Sequence, residues 1–192
     1  MFLRDASDEE AREYLAKEKE DMGYVMNLER AWAWRPDVAQ AFGELRAQLS
    51  AGSALSLRER AVMVCAAAGA LGDSYCSLAW GPKLAGMTSA ATAAGILRGQ
   101  GAADLSPRED ALRRWAEQVA RDPNAIQAAD VDALRAVGLT EREIFEATVF
   151  VAFRMAFSTV NDALGARPDA ELTGAAPREV LEAVTYGRPA AE

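Results

Sequence analysis

At four places in this chain a Ser or Thr is followed three residues later by Glu, just ahead of an apolar periodic segment: Ser7 with Glu10, Ser56 with Glu59, Ser106 with Glu109, and Thr140 with Glu143. In such a capping box the hydroxyl accepts from the backbone N–H three residues on. The glutamate reaches back to the capping residue's own N–H, so two orphan donors of a helix start are satisfied together. A chain that repeats this arrangement is committed to helices starting at those points. Ser7 opens a charged helix to about Lys19, and Ser56 one through Val62, Cys65 and Ala68. Ser106, with Pro107 at the first helical position, opens one to about Arg121, and Thr140 opens the longest, to Leu164. Further helices are predicted over residues 36–49, 74–84, 89–97, 129–137 (ending at Gly138) and 177–186, about nine in all.

The 51% apolar fraction is dominated by alanine and leucine, and no alternating run sits between paired turn signals, so the class is all-α. A single domain over residues 1–192 is expected. A net charge of −8 disfavours nucleic acid and anionic membrane surfaces, which require clustered Lys and Arg. The start MFLRDASDEE turns acidic where a signal peptide is basic, and the longest apolar run, residues 61–71, is too short for a bilayer. Two cysteines fit a reducing compartment, so a cytoplasmic protein is expected.

Along the longest helix Phe145, Val149, Ala152, Phe153, Ala156 and Val160 share one face, and Phe150, Val151, Met155 and Phe157 make its middle apolar nearly all round. Such a helix is central or lies at a subunit contact. Arg154, Ser158 and Asn161 form the polar line through that middle. The loop 50–54 and the segment after Gly165 read as the loosest points.

The chemistry-bearing stretch is GDSYCSLAWGPKLA, which opens at Gly72. Asp73 is placed as an N-cap with Ser74, Tyr75 and Cys76 as the first helical turn. The macrodipole stabilises a thiolate there, whereas the Asp73 carboxylate opposes one, and the net sign stays open. The chain contains no histidine, so any reaction runs without imidazole. Cys76 reads either as a reactive thiol or as a small side chain filling a helix contact. Cys65, inside VMVCAAAG, reads as core. Asp73 is a cap or an acid–base group, and Glu59 is the capping partner of Ser56 or a proton carrier. Trp80 is core or an apolar wall. Arg154 is an ion-pair partner at a subunit contact, a clamp for an anion, or the partner of Asp73.

The stretch SLRERAVMVCAAAGALGDSYCSLAWGPKLA resembles the core motif of the alkylhydroperoxidase D and carboxymuconolactone decarboxylase family, in which an Arg/Glu-rich helix start leads to a helix break and a Cys-x-x-Cys-x-x-x-His helix. GLTEREIFEATVFVAF and VNDALGARPD resemble its second half, so the likeness spans about residues 24–170. It implies an AhpD-like helical bundle that assembles as a homo-oligomer, a trimer or hexamer, with the active site near a subunit interface. Aligned without gaps, the first motif cysteine falls on Asp73, the second on Cys76, the histidine on Trp80 and the proton-relay glutamate on Ala61.

The implied activity is hydroperoxide reduction by the single Cys76, resolved by an external thiol. The alternatives are a decarboxylase-like enzyme on a small carboxylate or lactone, or an oligomeric ligand-binding protein without chemistry. The candidate site is Cys76, Asp73 and Glu59 as catalytic groups, with Tyr75, Trp80 and Arg154 contacting a small-molecule substrate. No recognisable flavin, haem or zinc site accompanies them, and no cofactor or metal is expected.

Overall fold

In the computed structural model, which describes residues 1–191, the chain forms α-helices and short connections without a strand. The helices are α1 (Glu9–Met22), α2 (Glu29–Trp32), α3 (Pro36–Ala51), α4 (Leu57–Leu71), α5 (Ser74–Met87), α6 (Ala90–Leu97), α7 (Pro107–Arg121), α8 (Ala128–Ala136), α9 (Glu141–Ala163), α10 (Ala170–Ala175) and α11 (Arg178–Ala183). Eleven helices stand where about nine were expected; α2 and α10 carry no capping box and are too short for a periodic signal.

The boxes at Ser56, Ser106 and Thr140 are formed in full. The first is not: Asp8 caps α1 in place of Ser7, accepting from the Ala11 N–H at 2.8 Å. An ionised acceptor at a helix N-terminus gains from the macrodipole as well as from the hydrogen bond, which a hydroxyl does not.

Helix α4 is the hub. Residues 61–68 are all buried, and α5, α6, α7 and α9 pack around it. Gly69 lets the carbonyl of Leu97 approach so closely that a Cβ would lie 2.5 Å from its oxygen. Gly72 ends α4 in the left-handed region (φ 72°), which delivers Asp73 to the start of α5.

The capping glutamates also serve between helices. Arg58 of α4 reaches Glu109 of α7 at 2.6 Å. In return Arg108 of α7 reaches Glu59 of α4 at 2.6 Å and Glu143 of α9 at 2.7 Å. The starts of α4, α7 and α9 are thereby tied at one end of the bundle.

The stripe Phe145, Ala152 and Ala156 of α9 does not enter the core; Phe145 is 67% exposed. The buried side is instead Ile144, Ala147, Val151, Phe157, Ser158 and Asn161. No helix among the described residues is long and apolar enough to cross a membrane.

Replacing Arg108 by Ala should destabilise the fold by about 2 kcal/mol, between the values for exposed and fully buried pairs. Chemical denaturation would measure it. Burial pushes Glu59 up, but Arg108 and the Ser56 N–H hold it below the ordinary range. The Thr140 N–H and Arg108 hold Glu143 down at about 2. Depressed carboxyls contribute stability above their unfolded pKa and lose it as pH falls. The wild type should therefore weaken from about pH 5 towards pH 2 more steeply than the Arg108→Ala variant; equal slopes would exclude the tie.

Candidate active site

Asp73 caps α5 as the sequence predicts, its Oδ1 accepting from the Cys76 N–H at 2.9 Å. Cys76 is then in the first turn with its sulfur turned inward, only 4% exposed. Arg154 comes to it from α9, its Nη2 donating to Sγ at 3.4 Å, and Ser158, one turn on, donates from Oγ at 3.6 Å. Asn161, third on that polar line, accepts from the Trp32 indole at 3.0 Å and holds α2 in place.

Burial pushes the Cys76 thiol up from its ordinary value near 9 to about 12; the Arg154 charge and the Ser158 hydrogen bond oppose this, and the Asp73 carboxylate adds to it. The question left open by the helix-start position is thus decided by desolvation, and the resting sulfur is protonated at neutral pH. Asp73 is itself buried, and its Oδ2 has no hydrogen-bond partner. Nearby Asp162 is pushed up to about 6 by burial and by the Asp73 charge. Cys65 is wholly buried, its thiol driven further up by desolvation and by Cys76. Both cysteines are free.

Arg154 lies over the rings of Trp80 (5.3 Å) and Phe157 (5.7 Å), and its Nε is buried without a partner. It is neither ion-paired to a carboxylate among the described residues nor hydrogen-bonded to Asp73. Its outer side forms part of a cleft of about 370 Å³ bounded by Arg46, Arg60, Trp80, Phe150 and Phe153. Arg154 therefore touches both the sulfur and the cleft, which Cys76 itself does not line. Trp80 stands on that wall, between Arg154 and Lys83, whose Nζ is 4.9 Å from its ring centroid.

Two expected members fall elsewhere. Glu59 is held by Arg108 and the Ser56 N–H near the start of α4, about 13 Å of helix before Ala68, whose carbonyl accepts from the Asp73 N–H beside the site. Tyr75 points away from the cleft; its hydroxyl donates to Asp169, and the Leu28 N–H approaches it at 3.5 Å. The segment after Gly165 supplies Asp169, a buried anchor that also accepts from the Asn27 N–H at 2.8 Å. Arg46 and Arg60, which line the cleft, gave no sequence signal beyond exposed-looking charges on helices.

Neither a family model nor a curated protein sequence matches the chain. Solved structures do. An uncharacterised peroxidase-related protein from Ralstonia eutropha, described as an alkylhydroperoxidase AhpD core, is 24% identical over 92% of this chain and 97% of its own, with a TM-score of 0.78. A peroxidase-related protein from a Silicibacter species is 24% identical over 89% and 91%, TM-score 0.75. The debrominase Bmp8 is 16% identical over 92% of each chain, TM-score 0.71; a cysteine-to-alanine variant of it was crystallised with 2,3,4-tribromopyrrole. The chain has the fold of the AhpD core, an all-α architecture that also carries a debrominase.

The raised thiol sets an expected reactivity. A thiol raised to about 12 and nearly enclosed is slowed twice, by a low thiolate fraction near neutral pH and by restricted access. Iodoacetamide should alkylate native Cys76 at least tenfold more slowly than a free cysteine, with the rate still rising above pH 9. Labelling read by intact mass in a Cys65→Ala background checks this; a plateau below pH 8 would show an ionised sulfur.

Proposed function

We propose that the protein is an AhpD-like thiol oxidoreductase that reduces a small hydroperoxide through Cys76. The observation that carries this is the placement of Arg154: a guanidinium without a carboxylate partner stands 3.4 Å from Sγ and forms the wall of the adjacent cleft. An arginine so placed stabilises a thiolate when it forms and opens the route to the sulfur when it swings aside.

With no histidine to take the thiol proton, the available acceptor is the unpartnered Oδ2 of Asp73. The thiolate attacks the terminal oxygen of the hydroperoxide; an S–O bond forms, the O–O bond breaks, and the leaving alkoxide takes the proton and departs as an alcohol. The sulfur is left as a sulfenic acid. One external thiol converts it to a mixed disulfide with loss of water, and a second releases Cys76 with a disulfide as product. Cys65, buried and already accounted for by packing, has no part in this cycle.

Treatment with tert-butyl hydroperoxide and a sulfenate trap should mark Cys76 alone. The rate should rise with pH and fall roughly tenfold or more in Arg154→Gln, as loss of a hydrogen bond to a charged group implies. An unmodified Cys76 after exposures at least a hundredfold longer than those that oxidise free glutathione would overturn the reading. The protein would then be a ligand-binding member of the fold, a second reading favoured by the burial of the sulfur.

We propose further that the uncovered stripe Phe145, Val149, Ala152 and Ala156 seats a second copy of the chain, since a contiguous apolar strip this exposed is costly in water. Sedimentation should show an oligomer that dissociates in Phe145→Glu; a monomeric wild type would exclude it. A cytoplasmic setting accords with two free cysteines.

A further inference from the structure

Many arginines of this acidic molecule are engaged by carboxylates, among them Arg30 with Asp5, Arg35 with Asp37, Arg58 with Glu109, Arg113 with Glu117 and Arg135 with Glu141, while others, such as Arg12 and Arg167, donate to backbone carbonyls. What sets the cleft apart is that three arginines without a carboxylate meet around one opening. Arg46, Arg60 and Arg154 form no ion pair among the described residues, and no Asp or Glu lines the cleft they share. Arg46 makes no hydrogen bond at all there and lies over the Phe157 ring at 5.0 Å, while Arg154 lies over that same ring at 5.7 Å. Two guanidiniums on one ring repel each other, and burial followed by the Arg154 charge pushes the pKa of Arg46 down. On its other side Arg46 borders a second, acid-lined cavity with Glu10, Glu13, Glu18, Glu29 and Asp37; it is ion-paired to none of them, and the Glu29 carboxylate is engaged by the Tyr14 hydroxyl. Arg60 spends one donor, Nη1, on the Ser50 carbonyl at 2.8 Å and keeps the rest. In a chain of net charge −8, an acid-free cleft that gathers three cations favours an anionic ligand.

The apolar part of the wall defines the remainder of the ligand. Trp80, Phe150 and Phe153 supply aromatic surface, with Leu49, Ala47 and Leu57 beside them. A volume of about 370 Å³ admits a small molecule and no macromolecule.

We infer that this cleft binds a small organic acid with a flat apolar body, its carboxylate held by Arg46 and Arg60 and its body laid along Trp80, Phe150 and Phe153. The inference deepens the proposed function by naming the substrate class as an acid whose far end faces Arg154 and the sulfur behind it. For the anion seat itself it needs no reactivity of Cys76. A bidentate guanidinium–carboxylate pair distinguishes the acid from its amide, which presents the same body without the charge.

Calorimetric titration of the full chain with 2-naphthoate and with 2-naphthamide tests this. The acid should bind at least tenfold more tightly than the amide, and added salt should narrow the gap. Arg46→Gln should remove most of the discrimination while leaving amide binding in place, which also shows that the variant is folded; Arg46→Lys should retain part of it. Cys76→Ser should bind the acid as the wild type does, so a failure of the thiol chemistry and a failure of the anion seat are read separately. Equal affinity for acid and amide, binding of neither, or a discrimination indifferent to Arg46→Gln would overturn the inference.

Discussion

The reciprocal pairing of Arg58 with Glu109 and of Arg108 with Glu59, extended by Arg108 to Glu143, is the constraint on which the rest of the molecule hangs. It fixes the axial register of α4, α7 and α9 at their common starting end. From Glu143 to Arg154 is eleven residues of helix, about 16 Å, and from Glu59 an equal distance along α4 reaches Ala70. The chain turns there at Gly72 and re-enters as α5, with the Asp73 N–H bonded to the Ala68 carbonyl at 2.9 Å. Arg154 and Ser158 therefore arrive level with the first turn of α5. A slip of one residue in α9 would rotate Arg154 by about 100° and remove it from the sulfur. The ion pairs are remote from Cys76 and determine its surroundings nonetheless.

Those surroundings divide the work that an imidazole does alone. A histidine can stabilise an anion, accept a proton and return it; an arginine remains charged and can do only the first. In the proposed cycle Arg154 and Ser158 stabilise the thiolate, and Asp73 Oδ2, a buried carboxylate oxygen without a hydrogen-bond partner among the described residues, accepts the proton. The Asp73 carboxylate itself opposes the thiolate, and the Arg154 charge favours it.

Much of this was legible in the sequence because it rests on local rules. Three of the four capping boxes and the Asp73 cap are decided within a few residues, and so were the elements that carry them. Where two local acceptors competed, at Ser7 and Asp8, the charged one won. The polar line of Arg154, Ser158 and Asn161 was visible as a helical stripe, but not its destinations, which depend on tertiary register. Glu59 illustrates the limit from the other side. Its capping role was local and readable, whereas its capture by Arg108 is a contact across 49 residues that removes it from any pocket. Arg46 and Arg60 were invisible for the same reason: a guanidinium on a helix declares nothing until the absence of carboxylates around it is seen.

The two proposed sites share Arg154, and this fixes the sign of their interaction. An anion that drew Arg154 into a bidentate pair would withdraw the one positive charge next to Sγ, raise the thiol further and suppress ionisation; binding and chemistry would then be antagonistic. A carboxylate held at Arg46 and Arg60 neutralises the charges that crowd Arg154 and leaves its Nη2 on the sulfur. Linkage requires that the same anion be bound more tightly when Cys76 is protonated if it competes for Arg154, and about equally if it does not. The absence of a carboxylate in the cleft follows from the same logic. A protein acid beside Arg154 would pair with it permanently, and neither the thiolate nor a substrate would have a cation left to meet.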